Sequence, residues 1–213
     1  MQISAFDLDH TLVKHNTNLL FYHYLIHKRF YRPISIFPAL YYAMRYHFFN
    51  LSIQELHKKV FQYFLKGISL TSVQREVKLF LSQNFYRFLY CPALSRLRLA
   101  QHEGHYTIIL SNSPSFLVAP IAYYLNVDEW RASIYSVDEE GRFTAIDSIL
   151  LGKEKALYIQ KLAKNFRVNI AQVTAYSDNI QDLPFLSVAG KAIVVNPNAK
   201  MKKIAQKKSW EVI

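Results

Sequence analysis

Cysteine is nearly missing from this 213-residue chain, where Cys91 stands alone. A single cysteine excludes a disulfide framework within the chain and fits a reducing compartment. Long apolar runs are missing too. The longest nearly uninterrupted one, Ile34 to Met44, contains Pro38 and is too short to span a bilayer. Internal repeats and low-complexity tracts are absent from the sequence, and 51% hydrophobic residues is ordinary for a globular chain and excludes extended disorder. Residues of chemical interest begin at position 7, leaving no room for a signal peptide before the first strand. The expectation is a cytoplasmic protein with one domain of ordinary size plus an insertion.

Acidic residues are scarce in one stretch. From Lys14 to Arg98 thirteen basic residues face only Glu55 and Glu76, so this stretch carries the whole net charge of +11. It also holds 19 of the 32 aromatic residues. The pattern in it is helical. Helices are predicted over Leu19–Phe30 and, with Pro38 in the first turn, over Pro38–Phe49. A third opens at Ser52-Ile-Gln-Glu55, which has capping-box spacing, and closes near Gly67; a fourth opens at Thr71-Ser-Val-Gln74 and runs to about Leu89. Four such helices form a small bundle, each hiding one stripe, with most of the aromatics as core. The helix Pro38–Phe49 is apolar on nearly every side, through Tyr41, Tyr42, Met44, Tyr46, Phe48 and Phe49. It is expected to leave an exposed aromatic patch, and a homodimer contact there ranks above a membrane surface. Nucleic acid is not an expected partner: the basic residues are scattered among the helices and no recognised motif accompanies them.

Around this insertion, strands alternate with helices. Ile3–Phe6, Tyr106–Leu110, Trp130–Val137, Gln172–Tyr176 and Lys191–Val195 read as strands, with a hairpin turn at Asp138-Glu-Glu-Gly141 leading to Arg142–Ile146. Pro92–His102, Ser115–Leu125, Glu154–Asn165, Leu183–Val188 and Asn198–Lys208 read as helices. The fold class is therefore α/β, a doubly wound parallel sheet with an inserted all-helical segment. The expected division is a sheet domain of residues 1–13 and 92–213 with a helical insertion at 14–91.

Polar residues gather where the strands end. Asp7 and Asp9 follow the first strand, and carboxylates two apart on a strand point the same way. Paired carboxylates at a strand end suit a hard cation, although an Asp-rich turn would look the same. Ser111-Asn112-Ser113 follows the second strand and leads into a helix amino terminus, where a hydroxyl and free N–H groups suit a phosphate oxygen. Simple capping by Ser113 or Ser115 is the plainer alternative. Lys153 and Lys155 open one helix, and Asp178 and Asp182, four apart, follow a later strand.

Asp7-Leu-Asp9-His-Thr11, Ser111, a lysine, and Ser177-Asp178 with Asp182 occur in that order. This set resembles the four motifs of the haloacid dehalogenase superfamily of phosphohydrolases, in subfamily IB, the branch similar to phosphoserine phosphatase. The resemblance implies a Rossmann-like sheet with a four-helix cap of the C1 type between the first two motifs. It implies a Mg²⁺-dependent phosphatase acting on a small phosphorylated substrate through an aspartyl phosphate. Asp7 is then the nucleophile and Asp9 the proton donor and acceptor. Mg²⁺ is held by the carboxylates of Asp7 and Asp178 and the backbone carbonyl of Asp9, with Asp182 supporting it indirectly. Ser111, Asn112 and the lysine hold the phosphate. Residues two apart on a helix point to nearly opposite sides, so Lys153 and Lys155 are alternatives. The family's Gly-x-x-Lys stretch matches Gly152 and Lys155, which favours Lys155. Asn16 stands where phosphoserine phosphatases carry a glutamate for the substrate amine, which counts against phosphoserine. A lipid-phosphate phosphatase and a non-catalytic binding module on the same fold are the alternatives.

Overall fold

The computed structural model describes residues 1–30, 41, 44, 45 and 52–213. Seven strands form one sheet: β1 (Ile3–Phe6), β2 (Tyr106–Pro114), β3 (Glu129–Val137), β4 (Phe143–Ser148), β5 (Val173–Ser177), β6 (Lys191–Val194) and β7 (Glu211–Val212), in the order β4-β3-β2-β1-β5-β6-β7. All neighbours are parallel except β3 and β4. β1 lies between β2 and β5, with Phe6 opposite Ile109 on one side and Tyr176 on the other. A strand covered on both faces needs no polar alternation, and all four residues of β1 are buried.

The two-residue period of the strands divides the core. Phe6 and Ile109 face one apolar cluster, while Ile3, Ala5, Ile108 and Leu110 face the other. The second cluster is closed by α6 (Gly152–Asn165), α7 (Leu183–Val188) and α8 (Ala199–Lys207), through Ile159, Phe185 and Met201. The first is closed by α5 (Ser115–Leu125), α4 (Cys91–His102) and three helices inserted after β1.

Those three are α1 (Thr17–His27), α2 (Ile53–Phe64) and α3 (Leu70–Phe88). Asn16 caps α1, accepting from Leu19 N, and Ser52 with Glu55 completes the capping box expected of α2. α3 begins earlier than the Thr71 spacing suggests: Ser69 is its cap, accepting from Ser72 N. Tyr41, Met44 and Arg45 are helical, and Tyr41 and Met44 are exposed; the rest of the helix expected over Pro38–Phe49 lies outside the described residues. Phe21, Phe61, Phe64, Phe80 and Phe85 are buried while Tyr63 and Tyr86 are exposed. Phenylalanine has no polar end to satisfy, so it takes the interior, and tyrosine keeps its hydroxyl in water.

Hairpin β3–β4 is more than an excursion. Gly67 N donates to Phe143 O at 2.8 Å, and Leu70 N to Gly141 O at 2.8 Å, so the α2–α3 connection is bonded to the hairpin. Phe61 meets Tyr135 edge-on at 5.6 Å.

β1, β2 and β3 build one side of the sheet, and the chain then crosses to β5 on the other side of β1. In an open parallel sheet the crevice at such a reversal, outside the carboxyl ends of the strands, is where ligands bind.

Candidate active site

The backbone departs from β1 immediately before the first carboxylate. Asp7 N still donates to Tyr176 O at 2.9 Å, then the chain turns through His10 at φ 58° while Leu8, Leu12 and Val13 plug the core. The two carboxylates therefore follow the end of β1 rather than lie on it, so strand alternation does not set their directions. Both line one polar recess of about 60 Å³, but each has its own partners.

Asp7 Oδ1 accepts from the Lys155 ammonium at 2.6 Å, and the same ammonium donates to Asp182 Oδ2 at 2.7 Å. Lys155 is 2% exposed, whereas Lys153 is exposed. Gly152 explains how α6 delivers it. A Cβ at Gly152 would lie 2.0 Å from the Gln181 carbonyl oxygen, so only glycine lets the start of α6 rest on the loop after β5. Ser177 adds a third bond to this cluster, its hydroxyl donating to Asp182 Oδ2 at 2.7 Å. Asp178 stands beside the recess. Its N–H donates to Thr11 Oγ1 at 3.1 Å, and that hydroxyl lies 3.3 Å from Asp178 Oδ1 and 3.5 Å from Asp7 Oδ2.

On the β2 side the strand runs beyond the expected Leu110 end and bulges between Leu110 and Pro114. Bulges re-aim side chains, and this one contains Ser111, Asn112 and Ser113. Asn112 lines the recess; its carbonyl accepts from the buried Ser133 hydroxyl at 2.6 Å. Ser111 is fully buried, and its Oγ accepts from Ser113 N at 3.1 Å. Ser113 caps nothing. Pro114 precedes α5 without a side-chain cap, and the Ser113 hydroxyl donates to Asp9 Oδ2 at 2.5 Å. Asp9 Oδ1 accepts from Thr17 N at 2.6 Å. Ser115 makes no cap bond either.

Charge is unbalanced here. Burial pushes the Asp7 carboxyl well above the usual range; Lys155 pulls it down, and Asp182 and Asp178 push it up. Burial, ahead of the opposing pull of His10, raises Asp178 to about 6. Burial disfavours the Lys155 ammonium, but Asp182 and Asp7 outweigh it and hold the group protonated. Three carboxylates around one ammonium leave room for further positive charge. Among the described residues no three Asp, Glu, His or Cys side chains converge as a metal cage. The Thr11 hydroxyl lies between the Asp7 and Asp178 carboxylates, and carboxylate oxygens are the donor type that suits a hard divalent cation.

Several of these residues escaped the motif reading. Thr11 and Ser177 lie inside the motifs, but their bonds depend on partners 167 and 5 residues away. His57 of α2, half-buried, has Nδ1 3.2 Å from the Tyr135 hydroxyl, and burial pushes its imidazole down to about 4 against the pull of Asp9. No signal in the sequence links positions 57 and 135.

Known proteins bear on this geometry. The chain is 34% identical over 112 residues to a putative hydrolase of Mycobacterium leprae, a match covering 51% of this chain and 37% of that one. It is equally 34% identical over 112 residues to the phosphoserine phosphatase SerB1 of Mycobacterium tuberculosis, with 51% and 36% covered. The matched part thus spans little more than a third of these relatives. A Bordetella pertussis protein of unknown function superposes with a TM-score of 0.87 at 22% identity, covering 99% of this chain and 97% of that one. A substrate-bound phosphoserine phosphatase superposes at 0.70 and 19% identity, with 100% and 92% covered. The sequence pattern of haloacid dehalogenase-like hydrolases matches residues 5–187, from within β1, past the loop that carries Asp178 and Asp182, into α7. By that match, over most of its length, the chain belongs to the haloacid dehalogenase-like hydrolase family.

Proposed function

We propose that the protein is a Mg²⁺-dependent phosphatase that hydrolyses a phosphomonoester through an aspartyl phosphate. The observation that carries this reading is the buried Lys155 bridging Asp7 and Asp182 in a polar recess at the carboxyl ends of β1 and β5. An ammonium fixed beside a carboxylate gives that carboxylate an anion-tolerant surrounding, which a phosphate ester approaching it requires.

In the proposed reaction an Asp7 carboxylate oxygen attacks phosphorus, the ester P–O bond breaks, and the alcohol leaves with a proton from Asp9. Asp9 then takes a proton from water, which attacks the phosphorus of the aspartyl phosphate. Inorganic phosphate departs and Asp7 is regenerated. Lys155, the Ser111 hydroxyl and the Asn112 N–H hold the remaining phosphoryl oxygens, and Asp182 with Ser177 holds Lys155 in place. Asp7, Asp178 and the Asp9 carbonyl, with indirect support from Asp182, would hold Mg²⁺, which would supply the charge screening that lets two anions meet.

Residues 14–91 serve in this reading as a cap over the recess, and 1–13 with 92–213 as the catalytic core. The substrate is a small soluble phosphorylated metabolite. Asn16 lines the recess and spends its side-chain oxygen on Leu19 N, so it offers no charge to a substrate amine, which argues against phosphoserine. A panel of sugar, polyol, nucleoside and amino-acid phosphates, assayed with Mg²⁺ and with chelator, tests the reading. Turnover of a non-zwitterionic ester that chelator abolishes is expected. Absence of Mg²⁺-dependent turnover across the panel sinks it.

A further inference from the structure

The proposed mechanism gives no task to Ser113, yet Ser113 is fully buried at the heart of the site. Its hydroxyl touches three groups. It lies 2.5 Å from Asp9 Oδ2, 2.8 Å from Asn18 Nδ2 and 3.4 Å from Thr17 Oγ1. A serine hydroxyl has one proton and two lone pairs. The Asn18 amide donates into one lone pair, and the hydroxyl itself donates to Asp9 Oδ2. The one hydroxyl proton therefore points at Asp9. The other Asp9 oxygen takes the Thr17 N–H at 2.6 Å. One bond on each oxygen fixes the plane of the carboxylate and leaves a second lone pair on each oxygen for proton transfer.

These donors come from two separate elements. Thr17 and Asn18 form the first turn of α1, and Ser113 lies in the bulge of β2, 95 residues from Asn18 in sequence. We propose that Ser113 is a positioning residue for Asp9, with Asn18 fixing the direction of the Ser113 hydroxyl. The inference rests on the reading of Asp9 as the acid that protonates the leaving alcohol. Neither Ser113 nor Asn18 touches the substrate; both act through the angle of Asp9.

A general acid matters most for a poor leaving group. The test compares the full-length protein and its Ser113→Ala variant, with Mg²⁺, on p-nitrophenyl phosphate and on an alkyl phosphate that the wild type hydrolyses. The expected result is a loss of kcat of about tenfold or more on the alkyl ester, with less than about threefold on the nitrophenyl ester. Ser113→Thr, which keeps the hydroxyl, is expected to recover the alkyl ester selectively. Asn18→Asp replaces the donor by an acceptor that competes for the Ser113 proton. Asn18 is half-buried, and the same leaving-group bias is expected. Equal losses on both esters, or no loss, overturn the proposal. A second readout needs no turnover. In a crystal structure of Ser113→Ala the Asp9 carboxylate is expected to rotate away from the orientation it holds here, and an unmoved Asp9 overturns the proposal. A wild type inactive on every ester defeats the phosphatase reading instead, and the crystal structure then decides the role of Ser113 on its own.

Discussion

The carboxyl edge of the sheet and the helices inserted after β1 handle charge in opposite ways. At the edge, Asp7, Asp9, Lys155 and Asp182 are all buried, and each is paired. In the inserted helices the cations lie outside: Lys58, Lys59, Lys66, Arg75, Lys78 and Arg87 are all exposed over a phenylalanine interior. Surface cations in water interact weakly and tolerate replacement. Loss of a buried ammonium shared by two carboxylates is far less tolerable, because it leaves both of them buried without a counter-charge. Function should therefore be brittle at the edge and resilient on the helices, a contrast that mutation can measure.

The largest effect is expected at Asp7. Asp7→Asn should abolish turnover, since an amide cannot form the aspartyl phosphate, while the melting temperature holds because Lys155 keeps Asp182. Turnover above about a few per cent of wild type would rule out the nucleophile assignment. Next comes the lysine pair. Lys155→Ala should cost about a hundredfold or more in kcat, as the loss of one transition-state charge contact does. Lys153→Ala, on the exposed side of α6, should cost less than about twofold. The reverse ranking would place the phosphate lysine one register away.

Gly152→Ala sharpens the comparison from the backbone side. The added methyl meets the Gln181 carbonyl, so α6 must shift away from the β5 loop. A loss of about 1–3 kcal/mol is expected, read as a lower urea midpoint, together with a fall in kcat as Lys155 moves off Asp7. An unchanged kcat would show that Lys155 does not depend on that contact.

The smallest expected effect lies where the two regions meet. His57 titrates near 4 in the folded chain and near 6.5 unfolded, because burial disfavours the imidazolium. Between those values the unfolded chain binds a proton that the folded chain refuses. Stability from this group is thus full above pH 6.5 and falls as pH drops toward 4. Asp178, raised to about 6, acts in the opposite sense over part of the same window, so the comparison must be with His57→Gln and without added metal. The variant should lose less stability between pH 7 and 4.5 than wild type. Parallel curves would show that His57 gains its proton freely in the fold.

Much of this arrangement was legible beforehand, and the reason is local. Capping at Ser52 and Glu55, the alternation of strand and helix from Pro92 onward, and the order of the four motifs each depend on residues a few positions apart. The same locality explains the misses. Ser69 rather than Thr71 caps α3, because the Ile68 and Leu70 backbone is bonded to Phe143 and Gly141 of the hairpin, a pairing that no window around residue 70 contains.

Backbone propensity, two-residue and helical periodicity were enough for the α/β class, and the spacing of polar residues singled out Asp7, Asp9, Ser111, Asp178 and Asp182 at strand ends; the choice of Lys155 over Lys153 came from the resemblance to the family's Gly-x-x-Lys stretch. Which atoms those residues bind was decided only in three dimensions. Lys155 reaches Asp7 across 148 residues because Gly152 lets two backbones touch, and Ser113 turns from a possible helix cap to Asp9 because a bulge in β2 aims it there. Periodicity is a property of neighbours along the chain; the direction of a buried hydrogen bond belongs to neighbours in space, and only packing brings those together.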